Sequence, residues 1–285
     1  MFSARKGAGE DPVRERTAKR DRLEGILRGM DRTLVAYSGG VDSSYLLVEA
    51  HRLLGDRICG VIADSPSLPR HELREALSLA EGRGLPVRVV RTDEMSREAY
   101  RANGPDRCYH CKTELFERLT RLALEEGWAT LAYGAVTDDL GDVRPGMSAA
   151  ERFRVRAPLL EAGLSKLEVR SLARGMGLRV WDKPQSACLA SRIPHGSEVT
   201  PGKLSQVEAG EALLRERFGL RVLRLRHEGS RARIEVSPDE LGRVSTPASV
   251  EVIRMTLNSL GFELVEIDPR GYARPDPLPP HGTEE

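Results

Sequence analysis

Short apolar runs at residues 33–37, 57–63, 86–91 and 129–134 alternate with stretches at 42–54, 68–82 and 112–126 in which apolar side chains return every three or four positions. The first pattern suits buried strands and the second amphipathic helices. Strand and helix in alternation predict an α/β fold built on a doubly wound parallel sheet. A helix over 165–175 and an extended piece at 178–181 complete this unit, and Pro194 and Gly196 punctuate its end. The order then changes to a helix over 201–218, apolar alternations at 220–226 and 232–236, a helix over 247–260 and a strand over 262–267, which read as a second, smaller α+β domain. The chain thus divides into a leader at 1–16, a large domain at 17–194 that opens on a helix over 17–29, a small domain at 195–269 and a proline-rich tail at 270–285. Leader and tail hold too few apolar residues to bury a core and are expected to be disordered.

A length of 285 residues supports two cores. Lysine plus arginine (44) nearly balance aspartate plus glutamate (43), so no global basic field exists and a nucleic-acid partner is disfavoured. No apolar run reaches membrane-spanning length and the charged amino-terminal stretch lacks a signal core, so the chain reads as cytoplasmic with no membrane partner. Four cysteines are too sparse for a disulfide scaffold.

Between the first strand and the helix after it lies Ser38-Gly39-Gly40-Val41-Asp42-Ser43. Glycines there let backbone N–H groups approach an anion, and the helix N-terminus adds partial positive charge. Ser38 and Ser43 can hydrogen-bond phosphate oxygens, and Asp42 can hold the Mg²⁺ that neutralises them. A Walker lysine is missing, so γ-phosphate transfer is not indicated. The string resembles the loop of the N-type ATP pyrophosphatases (PP-loop, adenine nucleotide α-hydrolase-like fold), a superfamily that includes GMP synthetase, NAD synthetase and tRNA thiolases. That resemblance implies cleavage of ATP between its α and β phosphates through an adenylated intermediate. Asp64 and Ser65, in the turn after the second strand, are candidates to line the adenine and ribose.

Cys108 and Cys111 form a C-x-x-C at the start of the helix over 112–126, and Cys188 follows later, whereas Cys59 sits in an apolar strand as a core residue. Three thiolates can hold three irons of a [4Fe-4S] cluster and leave the fourth open. Zinc with His110 as fourth ligand, a Cys108–Cys111 disulfide and unliganded thiols are the other readings of these residues. Together, S-G-G-V-D-S, D-R-C-Y-H-C-K at 106–112, the stretch from Asp138 to Gly146 and K-P-Q-S-A-C-L-A-S-R-I-P-H-G at 183–196 resemble the LarE family over residues 17–268. This family makes the nickel-pincer nucleotide cofactor of lactate racemase. The resemblance implies that ATP adenylates a carboxylate of a pyridinium-3,5-dicarboxylate mononucleotide and that sulfur then converts it to a thiocarboxylate. Cys188 matches the position of a sacrificial cysteine in one branch. The added Cys108 and Cys111 match the branch whose three cysteines bind a [4Fe-4S] cluster.

Among the charged residues, Asp138, Asp139 and Asp142 cluster with Arg144 after the fourth strand, where they could position Mg²⁺ or a substrate amine or simply be solvated. Arg192, next to Ser191, is placed to clamp a carboxylate or phosphate, and the family resemblance assigns this pair to the substrate region. Arg224 and Arg226 share one face of a strand, and Glu235 on the next strand faces them. The resemblance implies that this arginine pair binds the mononucleotide phosphate where subunits of a homo-oligomer meet, with a separate sulfur donor as a further partner. The competing functions are a tRNA thiolase, for which no RNA-binding module is recognisable, and an amide-forming synthetase, which has no need of Cys108, Cys111 and Cys188.

Overall fold

The computed structural model describes residues 12–141, 145–185 and 187–272. Helix α1 (Pro12–Arg28) starts earlier than the pattern at 17–29 predicted, because the charged residues ahead of Thr17 continue the helix. The rest of the expected leader and the tail from 273 onward lie outside the described residues. Strands β1 (Thr33–Ala36), β2 (Ile58–Asp64), β3 (Val87–Arg91) and β4 (Thr130–Tyr133) form one sheet in the order β3-β2-β1-β4, every pair parallel. Between them run α2 (Val41–Leu54), α3 (Arg70–Gly82), α4 (Glu98–Arg101) and α5 (Arg107–Glu126), and α6 (Pro145–Arg152), α7 (Pro158–Glu161) and α8 (Lys166–Gly175) follow β4.

Because side chains alternate along a strand, the sheet buries two faces. Val35, Ile58, Ile62 and Ala132 pack with residues of α1, α2, α3 and α8, whereas Leu34, Ala36, Cys59, Val61 and Leu131 pack with α5 and α6. This is the expected doubly wound α/β architecture. The piece at 178–181 is not extended: residues Arg179–Asp182 form a 3₁₀ turn and add no strand to the sheet. Its Trp181 lies under the Arg174 guanidinium, 4.8 Å from the ring centre, and its carbonyl accepts from Arg170 at 2.7 Å.

The smaller unit holds α9 (Pro201–Phe218), β5 (Leu223–Glu228), β6 (Arg231–Val236), α10 (Leu241–Val244), α11 (Pro247–Asn258) and β7 (Leu264–Ile267). β5 and β6 are an antiparallel hairpin, and β7 adds in parallel to β6. Proline follows the capping Thr200 at the start of α9, and Gly219 closes that helix at φ +61°, a pairing of start and stop signals that explains why its span was readable. Leu189, Ala190 and Ile193, upstream of the expected boundary at 194, belong to this second core, with Tyr100 from the first unit beside them. Among the described residues no helix is long and apolar enough to cross a membrane.

Candidate functional site

The chain leaves β1 at the carboxyl edge of the sheet and turns through Ser38-Gly39-Gly40 into α2. Gly39 has φ +72°, and a Cβ there would lie 2.5 Å from the Ala76 Cβ of α3. Gly134, after β4, makes the second close approach, since its Cβ would lie 2.8 Å from the Ser43 nitrogen. Both positions therefore need glycine if the loop is to lie between its neighbours. The Ser38 and Ser43 hydroxyls are 3.1 Å apart, and the Ser38 N–H donates to Ser43 Oγ at 3.2 Å. Gly40 caps α2 without a side-chain acceptor, whereas Ser165 and Thr200 cap α8 and α9 with theirs. No side chain therefore caps the first-turn N–H groups of α2, which leaves them open to an anion.

Asp42 sits in that first turn. Its Oδ1 is buried without a hydrogen-bond partner, and burial together with the nearby Asp139 carboxylate pushes its pKa up to about 6. Lys166 and Arg170 oppose that shift and Asp138 adds to it. An unpartnered buried carboxylate oxygen beside an anion-binding loop fits a Mg²⁺ ion, which would replace the missing partner and draw the proton off. Asp138 accepts from the Lys166 backbone N–H at 2.8 Å and so helps to seat α8, and Asp139 accepts from the Val136 N–H at 3.0 Å. Asp142, Arg144 and Ser186 lie outside the described residues.

A cavity of about 470 Å³ opens over the loop, within the size range of nucleotide and cofactor pockets. It is bordered by Ser38, Asp42 and Ser43 and also by Cys108, Cys111 and Cys188. Helix α5 begins at Arg107, ahead of the expected 112, which places Cys108 and Cys111 in its opening turns. Burial and the neighbouring Cys188 push the Cys111 thiol up to about 12. The four cysteines are free thiols, and Cys59 is buried in β2 as expected. His110 pairs with Asp106 at 3.0 Å and does not border the cavity, so the zinc set that used it is not built. Among the described residues no three potential ligands are gathered around a single metal ion, but Cys111 lies in the field of both Cys188 and Cys108 on one cavity, a donor set that fits the wider spacing of a cluster in which each thiolate binds its own iron.

Ser65 borders the cavity and donates to the buried Glu94, whereas Asp64 turns away to pair with Arg70. Of the two residues expected near the adenine and ribose, Ser65 thus lines the cavity and Asp64 does not. Arg192 differs more. It is 1% exposed and bidentate to Glu211, itself 2% exposed, with Nε–Oε1 at 2.8 Å and Nη2–Oε2 at 3.1 Å. Its Nη1 donates to the carbonyls of Ala187 (2.7 Å) and Cys188 (3.1 Å) and to Ser191 Oγ (3.1 Å). The carboxylate it clamps is thus internal. Although burial would raise it, the Arg192 charge holds Glu211 below the usual carboxylate value.

The strand arginines are redirected in the same way. Arg224 donates to the Gln185 carbonyl at 2.8 Å and lies over the Tyr272 ring, and burial, then the Arg192 charge, lowers its pKa. Arg226 takes Glu235 Oε2 through Nε and Nη2 and gives Nη1 to the Ser191 carbonyl at 3.0 Å. Glu235 faces the pair as expected, being opposite Arg224 in the β5–β6 register. None of these three residues borders the cavity. Arginine side chains therefore satisfy the carbonyls of Trp181, Lys183, Gln185, Ala187, Cys188 and Ser191, as a strand partner would, and thereby fix Cys188.

Arg192→Leu would take from the buried Glu211 its bidentate partner and leave it Arg215 at 3.5 Å and the Leu225 N–H at 3.0 Å, a loss of up to about 3 kcal/mol. Urea unfolding should show it, with part of the loss recovered on adding Glu211→Leu. A single variant as stable as the wild type would refute the bridge. Sequence reasoning missed Glu211, although an acid among Leu204, Val207 and Leu214 on the buried face of α9 signals a hidden cation. It also missed the cavity-lining cations Arg107, Lys112, Lys166, Arg170 and Lys183. Two had visible cues: Lys166 directly follows Ser165 within the capping box that Ser165 forms with Glu168, and Arg107 adjoins Cys108.

No protein-family model matches the chain. It is 40% identical to an uncharacterized protein of Synechocystis sp. over 255 residues, 90% of this chain and 95% of the relative. It is 34% identical over 255 residues to the pyridinium-3,5-bisthiocarboxylic acid mononucleotide synthase of Lactiplantibacillus plantarum, covering 89% of this chain and 91% of that enzyme. A more distant likeness, 28% over 205 residues, relates 65% of the chain to 64% of one component of the glutamine-hydrolyzing GMP synthase of Archaeoglobus fulgidus.

Proposed function

The chain belongs to the LarE family, and from that membership we propose that it is an ATP-dependent sulfur transferase that converts a carboxylate of a pyridinium-3,5-dicarboxylate mononucleotide into a thiocarboxylate. One observation carries the reading: the phosphate loop and Cys108, Cys111 and Cys188 border the same cavity. An amide-forming synthetase has no use for thiols there.

Ser38, Gly40 and Ser43, with the open N-terminus of α2, bind the β- and γ-phosphates, and Asp42 would hold a Mg²⁺ ion, which supplies neutralisation of the phosphate charge when bound. A carboxylate oxygen of the acceptor attacks the α-phosphorus, the bond to the bridging oxygen breaks, and pyrophosphate leaves. A sulfur nucleophile then adds to the carbonyl of the acyl adenylate and AMP departs. Cys108, Cys111 and Cys188 would hold a [4Fe-4S] cluster, which supplies a labile sulfide when bound. Sulfur leaves with every product, so an external donor must replace it.

The test is anaerobic purification and incubation with ATP, Mg²⁺ and the dicarboxylated mononucleotide. Acceptor-dependent release of AMP and pyrophosphate with thiocarboxylate formation is expected; no product with this acceptor overturns the proposal. Iron and sulfide should be bound by the wild type and lost in Cys108→Ser. An iron-free wild type that makes one thiocarboxylate and loses the Cys188 sulfur would replace the cluster route with the sacrificial one.

A further inference from the structure

With Arg192, Arg224 and Arg226 turned to internal partners, the anionic acceptor needs another cation in the cavity. Arg107 donates to the Asn103 side chain and to the Ala190 carbonyl (2.9 Å), so it joins α5 to the Cys188 segment. Arg170 donates to the carbonyls of Trp181 and Lys183, and Lys183 pairs with Glu72 and Glu75. Lys166 and Arg170 lie in the field of Asp42, beside the phosphate loop. Lys112 is different. It borders the cavity one residue after Cys111 and one helical turn after Cys108, and among the described residues it has no hydrogen bond or ion pair. Its ammonium lies 5.9 Å from the centre of the Phe116 ring, a weak attraction that a carboxylate would outcompete. Its stem is held: a Cβ on Gly146 of α6 would come 3.2 Å from Lys112 Cγ, so α6 packs directly on the side chain.

We infer that Lys112 receives an anionic group of the acceptor, a carboxylate on its aromatic ring, and so holds that group at the cysteine-bearing wall of the cavity. This rests on the function proposed above, since it is the acceptor's charge that needs the cation. A carboxylate seated on Lys112 is a neighbour of Cys111 in the same helix, whereas ATP is held by the loop at β1. Lys112 therefore serves acceptor binding and not nucleotide binding.

Calorimetric titration of wild type, Lys112→Met and Lys112→Arg separates these roles. Each protein is titrated with the pyridinium-3,5-dicarboxylate mononucleotide and, separately, with a non-hydrolysable ATP analogue and Mg²⁺. Methionine keeps the stem that α6 packs on, so thermal unfolding should be unchanged. Lys112→Met is expected to weaken acceptor binding by about 10- to 100-fold, the loss of one charge-assisted contact, with ATP-analogue affinity unchanged. Lys112→Arg should recover most of the acceptor affinity. Wild-type acceptor affinity in Lys112→Met, or an equal loss for the ATP analogue, overturns the inference and leaves the function standing. A wild type that binds the ATP analogue but not the acceptor overturns both.

Discussion

Asp42→Asn is expected to give a protein that melts higher than the wild type and has lost ATP-dependent turnover. The Asp42 carboxyl is raised to about 6 from an ordinary 3.8, by burial first and by Asp139 second. A native pKa above the unfolded one means that the folded state holds the proton more tightly. The associated stability is fully present below the unfolded value and is lost as pH rises through about 6. At neutral pH the ionised side chain is therefore a net cost, at most about 3 kcal/mol. Asparagine removes the charge and keeps the shape, which should raise the melting temperature by several degrees in scanning fluorimetry. Above pH 7 the difference should be largest, and it should shrink toward pH 4. Pyrophosphate release should fall at least about 100-fold, because the ligand for Mg²⁺ is gone. In the wild type, turnover should decline as pH drops through about 6, with Mg²⁺ and ATP moving the inflection lower. A destabilised variant would refute the strained carboxylate, and a fully active one would refute its role with the metal.

Cys188→Ser should separate the two halves of the reaction. Thiocarboxylate formation is expected to drop by roughly 10³-fold or more, the scale of losing a nucleophile or its carrier, while acceptor-dependent pyrophosphate release persists. The substitution should leave the segment in place, because its anchors are backbone atoms. The Leu189 N–H donates to the Ser67 carbonyl at 2.8 Å, and the carbonyls of Gln185, Ala187, Cys188 and Ser191 are held by Arg224, Arg192 and Arg226. Mass spectrometry of the product and a coupled pyrophosphate assay read the two steps independently. Equal loss of both would make Cys188 a structural residue, and an unchanged thiocarboxylate yield would remove it from the chemistry.

What the order of residues determined by itself is local. The string from Ser38 to Ser43 carries its own conformation, since a glycine at φ +72° between an apolar strand and an amphipathic helix admits few alternatives. The parallel sheet, the α+β character of the second unit and the span of α9 were equally legible, because periodicity and caps act within a turn or two. The direction of a long charged side chain is decided elsewhere, by whatever acid or bare carbonyl the fold brings within reach. Arg192 looked like a ligand clamp until α9 delivered Glu211 to it; Arg224 and Arg226 looked like a phosphate pair until the backbone around Cys188 lay across them. Asp64 was drawn to Arg70, and Lys112 came to rest over the Phe116 ring at the cavity wall. The tertiary structure alone made those assignments, because a buried carbonyl or carboxylate without a partner is expensive and the nearest guanidinium is drawn to it before any substrate arrives.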